Sequence, residues 1–391
     1  MRVAIINTLY WPNKIGGAEV SVQTLAEGLA NIGHEVHVLT LVELGSSRAG
    51  SQVSKNGVQI HYLPLHNCYW PFSPIDPGVL KKSIWHILDL YNPLMIKKVM
   101  ETLTTVRPDL VHCNNVSGFS IGLFRALNKN KYKTVYTARD YYAAHHSTTK
   151  NYVQSSVNPL TRAYAKLRAY FLKDVNKITT ISNYMAVDLN KLLPNKDISV
   201  IYNPIYHHYV ESRSRPYLSK ETISIGFLGR LTAEKGIEEF YKLAQALENK
   251  KLPQLMFTGG RGDKALISRL EGKYTKSVTN LGYIDKENFF DTIDLLVTPI
   301  IWEEPFGRTV AEALEKGVQV IGYGAGGAKE VHSLLDNLSN VANDFDDLTI
   351  KVTSFCLEKP KLQTKMSIEF TIDYHVSKML DVYNNLDIAE L

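Results

Sequence analysis

The sequence predicts an α/β protein built from two Rossmann-like units. Three observations carry this. Short apolar runs alternate with amphipathic helical segments along most of the chain. The alternation lapses in a stretch rich in Pro, Tyr, His and Ser, Tyr202–Ser219, and then restarts. With 391 residues, the chain also exceeds what one hydrophobic core usually organises. Strands separated by helices form parallel sheets covered on both faces, which is why such strands are apolar throughout rather than alternating.

In the first half, Val3–Ile6 reads as a short buried strand, followed by a loop holding Pro12, Gly16 and Gly17. Glu19–Ile32 is helical, with Val22, Leu25, Ala26 and Leu29 on one face, and Gly33 ends it. Glu35–Leu41 and Val58–Leu63 are the next strands, and Val79–Val106 contains helices. Leu110–His112 and Thr134–Tyr136 are strands flanking a helix near Ile121–Leu127. Lys177–Ile181, Asn183–Leu193 and Ile198–Ile201 read as strand, helix and strand. The second half restarts with the strand Ile223–Leu228, the helix Gly236–Leu247 and the strand Leu255–Thr258. Val278–Leu281, Leu295–Pro299 and Val318–Ile321 are further strands, and helical patterns dominate after Asp347, ending in the amphipathic run Tyr374–Leu386. The expected domains are 1–203 and 204–391.

Composition narrows the class. Hydrophobic residues make up 45% and charged residues 21%, as in soluble globular proteins. Apolar runs such as Leu295–Ile301 are far too short to span a bilayer, and the N-terminus leads straight into a strand without a secretory pattern. Cys68, Cys113 and Cys356 lack metal or disulfide spacing, so a cytoplasmic setting is expected. Residues 1–205 carry 22 Lys and Arg against 12 Asp and Glu, whereas the remainder carries 22 against 27. A basic first half predicts an anionic partner there. No nucleic-acid motif is present. An anionic membrane surface fits better, because Arg162, Lys166, Arg168, Lys173 and Lys177 interleave with aromatic and aliphatic residues over Leu160–Lys177, the pattern of an interfacial helix.

In doubly wound folds ligands sit at the carboxyl ends of the strands, so the loops there carry the chemistry. Trp302–Gly317, WEEPFGRTVAEALEKG, places two acids around a turn and a helix start. Glu304 lies on the loop and Glu312 about one turn into the helix, with Arg308 between them. Eight residues at helical rise span about 12 Å, and the free amides of a helix N-terminus suit a diphosphate. Gly229-Arg230 and Lys235-Gly236 follow Ile223–Leu228, and two cations there can hold both phosphates of a diphosphate. Gly16-Gly17 permits close backbone approach to a ligand, without the Gly-x-Gly-x-x-Gly of dinucleotide binders.

GRLTAEKG followed by EPFGRTVAEAL resembles glycosyltransferase family 4, the retaining enzymes of GT-B architecture. RPDLVHCNN, TTISNYM, VIYNPI and LGYI support the resemblance in the expected order. It implies two Rossmann-like domains facing across a cleft, with a C-terminal helix packing back toward the first. It also implies a UDP- or GDP-sugar donor whose diphosphate is neutralised by Arg230 and Lys235, donor-sugar hydroxyls on Glu304, and ribose hydroxyls on Glu312. Backbone amides of Phe306, Gly307, Arg308 and Thr309 would meet sugar and phosphate. The backbone of Gly282, Tyr283 and Ile284 would contact the base, and Gly16 and Gly17 would approach the phosphates. No metal, cofactor or protein nucleophile is implied. The basic first half favours a glycan or polyprenyl-diphosphate-linked glycan acceptor, at the inner face of a plasma membrane.

One departure concerns Thr137-Ala138-Arg139-Asp140, where family members often carry His-Asp. Arg139 could pair with a carboxylate on the donor sugar, fill space beside a deoxysugar, leave the role to His145 or His146, or support its loop through Asp140. Asp344-Phe345-Asp346 has the D-x-D form of metal-dependent transferases but reads as a helix cap. The histidines lack zinc-ligand spacing. A non-catalytic nucleotide-sugar-binding protein and a nucleotide-sugar epimerase of the same architecture are the alternatives to a transferase.

Overall fold

A computed structural model describes the chain except residues 14–15, 74, 144–158, 207–209, 214–215, 218–220, 361–363 and 387–391. The chain divides into two units, Met1–Pro204 with Ile372–Leu391, and Ile205–Thr371.

The first unit is built on an eight-stranded sheet. Its spatial order is Gln52–Lys55, Val58–Pro64, Glu35–Val42, Arg2–Ile6, Leu110–Cys113, Thr134–Ala138, Lys177–Thr180 and Ile198–Val200. All neighbours are parallel except Gln52–Lys55, which pairs antiparallel with Val58–Pro64. That edge strand is polar and exposed and was not expected from the apolar pattern. The turn Asn56-Gly57, with φ of 51° and 76°, makes the hairpin, a signal that its Asn-Gly dipeptide does carry. Arg2–Ile6 lies between Glu35–Val42 and Leu110–Cys113, and the strand order runs outward from it in both directions. Its Val3, Ala4, Ile5 and Ile6 are fully buried because helices cover both faces.

Gly17–Asn31 lays Val22, Leu25, Ala26 and Leu29 into this core. The last helix, Ile372–Asn385, belongs to the same core through Val376, Met379, Val382 and Tyr383. A Cβ at Gly28 would come within 2.7 Å of Val376 Cγ2, so glycine allows the two helices to close. The Tyr383 hydroxyl lies 2.7 Å from His112 Nδ1. The terminal helix therefore joins the first unit although it follows the second in sequence.

The second unit has a six-stranded, all-parallel sheet ordered Val278–Asn280, Gln254–Gly259, Ile223–Leu228, Leu295–Thr298, Gln319–Tyr323 and Val341–Ala342. Ser212–Arg213 and Thr364–Lys365 form a small antiparallel pair beside it. Chain order reverses at Ile223–Leu228, which pairs with Gln254–Gly259 on one side and Leu295–Thr298 on the other. A crevice opens at such a reversal, at the carboxyl ends of the strands. The loops that emerge there begin at Gly229 and at Pro299, which are the two cation- and acid-bearing segments.

The helix expected over Leu160–Lys177 is Pro159–Leu172, and Lys177 begins a strand. Its basic face is not wholly solvent-facing. Arg168 is fully buried, 4.0 Å from Asp89 Oδ2 and 3.9 Å over the Tyr142 ring, and it donates to the Tyr164 hydroxyl at 3.1 Å. Asp89 also accepts from the Gly118 amide at 2.7 Å and from the Tyr142 hydroxyl. Arg168 is thus committed to an internal ion pair, which corrects its assignment to an interfacial surface.

Candidate functional site

The site in the second unit is assembled by glycines that let three loops touch. Gly229 has φ 148°, and a Cβ on Gly260 would lie 1.7 Å from the Gly229 carbonyl oxygen. Gly236 has φ 82°, and a Cβ there would lie 1.7 Å from the Pro299 carbonyl oxygen. No side chain fits either place, so the loop before Ile237–Asn249 seats directly on the loop after Leu295–Thr298. The amides of Ile301 and Trp302 donate to the Glu234 carbonyl, both at 3.3 Å, and tie the same two loops.

This docking sets Lys235 against Glu304. Lys235 Nζ donates to Glu304 Oε2 at 2.6 Å, with the side chains only 17% and 16% exposed. The ammonium also lies 4.8 Å from the centroid of the buried Trp302 ring. Glu304 is fixed from behind, because its carbonyl accepts from the Gly327 amide at 2.7 Å and a Cβ on Gly326 would lie 2.4 Å from that oxygen. Arg230 is different. Its side chain is exposed and has no acidic partner among the described residues. The Lys235–Glu304 pair is net neutral, and Glu234 and Glu303 lie on the same loops, so Arg230 is the cation there that no acid holds among the described residues.

Beyond Glu304 the chain turns through Gly307, φ 96°, into the helix Arg308–Glu315. A Cβ on Gly307 would come within 2.9 Å of Ala328 Cα, so this helix mouth is pressed against the start of the helix Ala328–Leu334. Val310, Ala311, Ala313 and Leu314 anchor the helix in the core, and Phe306 is buried edge-on against Phe370. Thr309 is partly exposed in the first turn, where helical amides lack intrahelical acceptors. Glu312 accepts from Arg308 Nε at 2.6 Å and from Lys286 Nζ at 2.8 Å. Arg308 thus turns back along the helix onto Glu312, a pairing one turn apart that the spacing of the two residues permits.

Gly282 has φ 66°. Its amide donates to Asn280 Oδ1 at 2.9 Å and its carbonyl accepts from the Gly260 amide at 2.7 Å. Ile284 is partly buried beneath, where a Cβ on Gly259 would meet it at 2.9 Å. Tyr283 is 75% exposed, with the Arg261 guanidinium 4.7 Å over its ring. The supporting residues that sequence reasoning passed over are Gly259, Gly260, Gly326 and Gly327. Each is a member of a Gly-Gly pair at or beyond the end of a strand, the signal applied to Gly16-Gly17 but not here.

In the first unit, Gly16 caps Gly17–Asn31, and its amide donates to Glu19 Oε2 at 2.8 Å. Its φ of −145° suits any residue, so the backbone conformation does not itself require glycine there. Arg139 is buried. Its Nε donates to Asn114 Oδ1 at 2.8 Å and its Nη1 to Asn203 Oδ1 at 2.5 Å. Of the readings open for Arg139, support through Asp140 has no contact behind it among the described residues, since Asp140 accepts from the Tyr142 amide at 2.9 Å and the Asn115 side chain at 3.3 Å. Burial pushes the Asp140 carboxyl up to about 6. Burial, with Arg139 nearby, holds His112 neutral well below the usual histidine range. His145 and His146 lie outside the described residues. Asp344 caps Phe345–Glu358 by accepting from the Asp347 amide at 2.8 Å, as its position before a helix suggested.

The chain has two α/β units on largely parallel sheets, the second with a cation–acid cluster at its sheet reversal. A family profile described as Glycosyltransferase Family 4 matches residues 15–208, and one described as Glycosyl transferases group 1 matches residues 211–369. A relative from Klebsiella pneumoniae, an uncharacterized 42.6 kDa protein in the cps region, is 34% identical over 98% of this chain and 100% of its own length. The chain belongs to glycosyltransferase family 4. Solved structures share the fold. Sucrose-phosphate synthase from Thermosynechococcus elongatus superposes with a TM-score of 0.72 at 15% identity, covering 99% of each chain. HepE from Anabaena, in complex with UDP-glucose, gives 0.61 at 14% identity, covering 98% of this chain and 100% of its own.

Proposed function

We propose that the protein transfers a sugar from a UDP- or GDP-sugar to a glycan or polyprenyl-diphosphate-linked glycan, with retention of anomeric configuration, at the cytoplasmic face of a membrane. The observation that carries this is the exposed Arg230, without an acidic partner among the described residues, on the loop beside the Lys235–Glu304 pair at the sheet reversal of the second unit. Arg230 and Lys235 bind the diphosphate, Glu304 takes hydroxyls of the donor sugar, and Glu312 takes those of the ribose. The first-turn amides of Arg308–Glu315 face the sugar and phosphate. Gly282, Tyr283 and Ile284 meet the base through their backbone.

In the transfer, the bond from the anomeric carbon to the phosphate oxygen breaks as the bond to the acceptor oxygen forms on the same face. The acceptor's hydroxyl proton passes to the leaving phosphate. Negative charge grows on the diphosphate and positive charge on the ring, so fixed cations aimed at the phosphate lower the barrier. No protein nucleophile or metal takes part. The capsule-region relative supports a surface-polysaccharide acceptor, and the UDP-glucose complex of a protein of like fold supports the donor class.

The test is incubation with UDP- and GDP-sugars and a polyprenyl-diphosphate-linked glycan. Nucleoside diphosphate release and the anomeric configuration of the product, by NMR, are the readouts. Transfer with retention is expected. Inverted product, interconversion of donor sugars without acceptor, or nucleotide binding without turnover would each overturn the reading.

A further inference from the structure

Three loops of the second unit run side by side at the carboxyl edge of its sheet, after the strands Ile223–Leu228, Gln254–Gly259 and Val278–Asn280. The first holds Arg230, the third holds Gly282-Tyr283-Ile284, and the middle one reads Gly260-Arg261-Gly262. Glycine is needed on both sides of Arg261. Gly260 has φ 139°, and a Cβ on Gly262 would lie 2.5 Å from Leu231 Cβ. The Arg261 carbonyl accepts from the Leu231 amide at 2.8 Å, and the Gly260 amide donates to the Gly282 carbonyl at 2.7 Å. Backbone bonds therefore fix Arg261 between the loop of Arg230 and the loop of Tyr283.

The side chain is turned to the second of these, with its guanidinium 4.7 Å over the Tyr283 ring. Both residues are exposed, Tyr283 by 75%. An exposed cation–ring contact adds little stability, so packing alone does not account for an arginine held between two glycines. The acids nearest in sequence, Asp263 and Asp285, cap the helices Lys264–Lys273 and Lys286–Thr292. Among the described residues, no acid and no hydrogen-bond acceptor meets the Arg261 guanidinium.

A donor whose base lies along the backbone of Gly282–Ile284 brings that base to this pair. Aromatic rings and guanidinium planes both stack nucleobases. The parallel N–H groups of a guanidinium also match two adjacent acceptors. Guanine presents such a pair, O6 and N7, on one edge. Adenine sets an amino donor beside its N7, and uracil offers only O4 on that edge. We propose that Arg261, positioned by Tyr283, selects a guanine nucleotide, so that the donor is a GDP-sugar. This rests on the reading of the second unit as the donor site and narrows that reading to one base.

The test is isothermal titration calorimetry of the full chain with GDP, IDP, 7-deaza-GDP, UDP and ADP. IDP keeps O6 and N7 but lacks the 2-amino group, and 7-deaza-GDP lacks N7. The wild type is expected to bind GDP and IDP roughly tenfold or more tighter than UDP and ADP, and 7-deaza-GDP several-fold more weakly than GDP. Arg261→Met alters one exposed side chain and is expected to keep its melting temperature without ligand. It should lose the advantage of GDP over UDP, and Arg261→Lys, which keeps the charge but not the fork, should lose it too. Tyr283→Ala, which frees the guanidinium, is expected to reduce it. A wild type that prefers UDP or ADP, or binds all three alike, overturns the proposal and leaves the transferase reading standing. A preference for GDP that survives in Arg261→Met overturns it as well. So does an equal weakening of GDP and UDP that lysine restores, because Arg261 would then serve the diphosphate. Binding of no nucleotide at all removes both this proposal and the donor site on which it rests.

Discussion

Replacing Lys235 by methionine keeps most of the side chain's volume but removes its charge. The structure gives two consequences that can be separated. Glu304 Oε2 loses a partner at 2.6 Å, and the Glu304 side chain is only 16% exposed. A largely buried carboxylate left without its cation costs about 1–3 kcal/mol. For a unit the size of Ile205–Thr371 that corresponds to a fall in melting temperature of roughly 3–9 °C. Losing a fixed cation at the leaving phosphate lowers kcat/KM by about 10²–10³. Glu304→Gln in the same chain removes the stranded charge. The double variant is therefore expected to recover most of the stability and none of the activity. Calorimetry and initial-rate assays on the two single variants and the double variant decide it. Recovery of activity along with stability would refute the reasoning, because Lys235 would then serve only to hold Glu304. Full activity in Lys235→Met alone would refute it as well.

Gly236→Ala forces a Cβ within 1.7 Å of the Pro299 carbonyl at a φ of 82°, so it should cost roughly 2–5 kcal/mol in chemical denaturation and lower activity with it. Glu312→Gln removes the charge that holds Arg308 and Lys286, and nucleotide affinity by calorimetry is expected to fall about tenfold, or roughly 1.4 kcal/mol. Unchanged affinity would remove Glu312 from the ribose site. His332 is buried, and its Nδ1 faces the Asn337 side-chain nitrogen Nδ2 at 2.8 Å, while Asn337 Oδ1 accepts from Gln319 and Asn340. Nδ1 must then be an acceptor, and burial lowers the histidine from 6.5 to about 4. Because the unfolded chain binds the proton more readily, this group's contribution is present above pH 6.5 and is lost as pH falls toward 4. Urea titrations of His332→Gln should show a stability slope shallower by about 1.4 kcal/mol per pH unit within that window. An identical slope in the variant would contradict the assignment.

Much of the second unit was legible in sequence because its signals are local. Ile223–Leu228 is a mainly apolar run closed by Gly229, and the structure gives the strand the same bounds. The helix start at Arg308 follows from Pro305 and Gly307. What sequence did not show are pairings across the chain. Lys235 and Glu304 are separated by 69 positions, and their contact depends on a glycine seating on Pro299. Arg308 read as a free charge at the helix mouth although its spacing to Glu312 permits the pair, whereas the second cation on that carboxylate, Lys286, comes from a distant segment. Arg139 left several readings open in sequence, and Asn114 and Asn203, from two other loops, hold it. The basic run over Leu160–Lys177 suggested a surface because its composition could not reveal that Asp89 draws Arg168 inward. Conversely, the outward aliphatic face of Gly78–Leu90 was hidden inside a long helical stretch that has apolar residues on two sides.

The central claim, a nucleotide-sugar donor held by the second unit, is tested most directly by thermal shift against UDP-, GDP-, ADP- and TDP-sugars and the free nucleoside diphosphates. A ligand at about one hundred times its Kd stabilises the folded state by roughly 2.7 kcal/mol. At two to four degrees per kcal/mol that is a rise of about 5–10 °C. The account predicts such a rise with one sugar nucleotide and its nucleoside diphosphate, abolished in Lys235→Met. An unchanged melting temperature across the whole panel would contradict it.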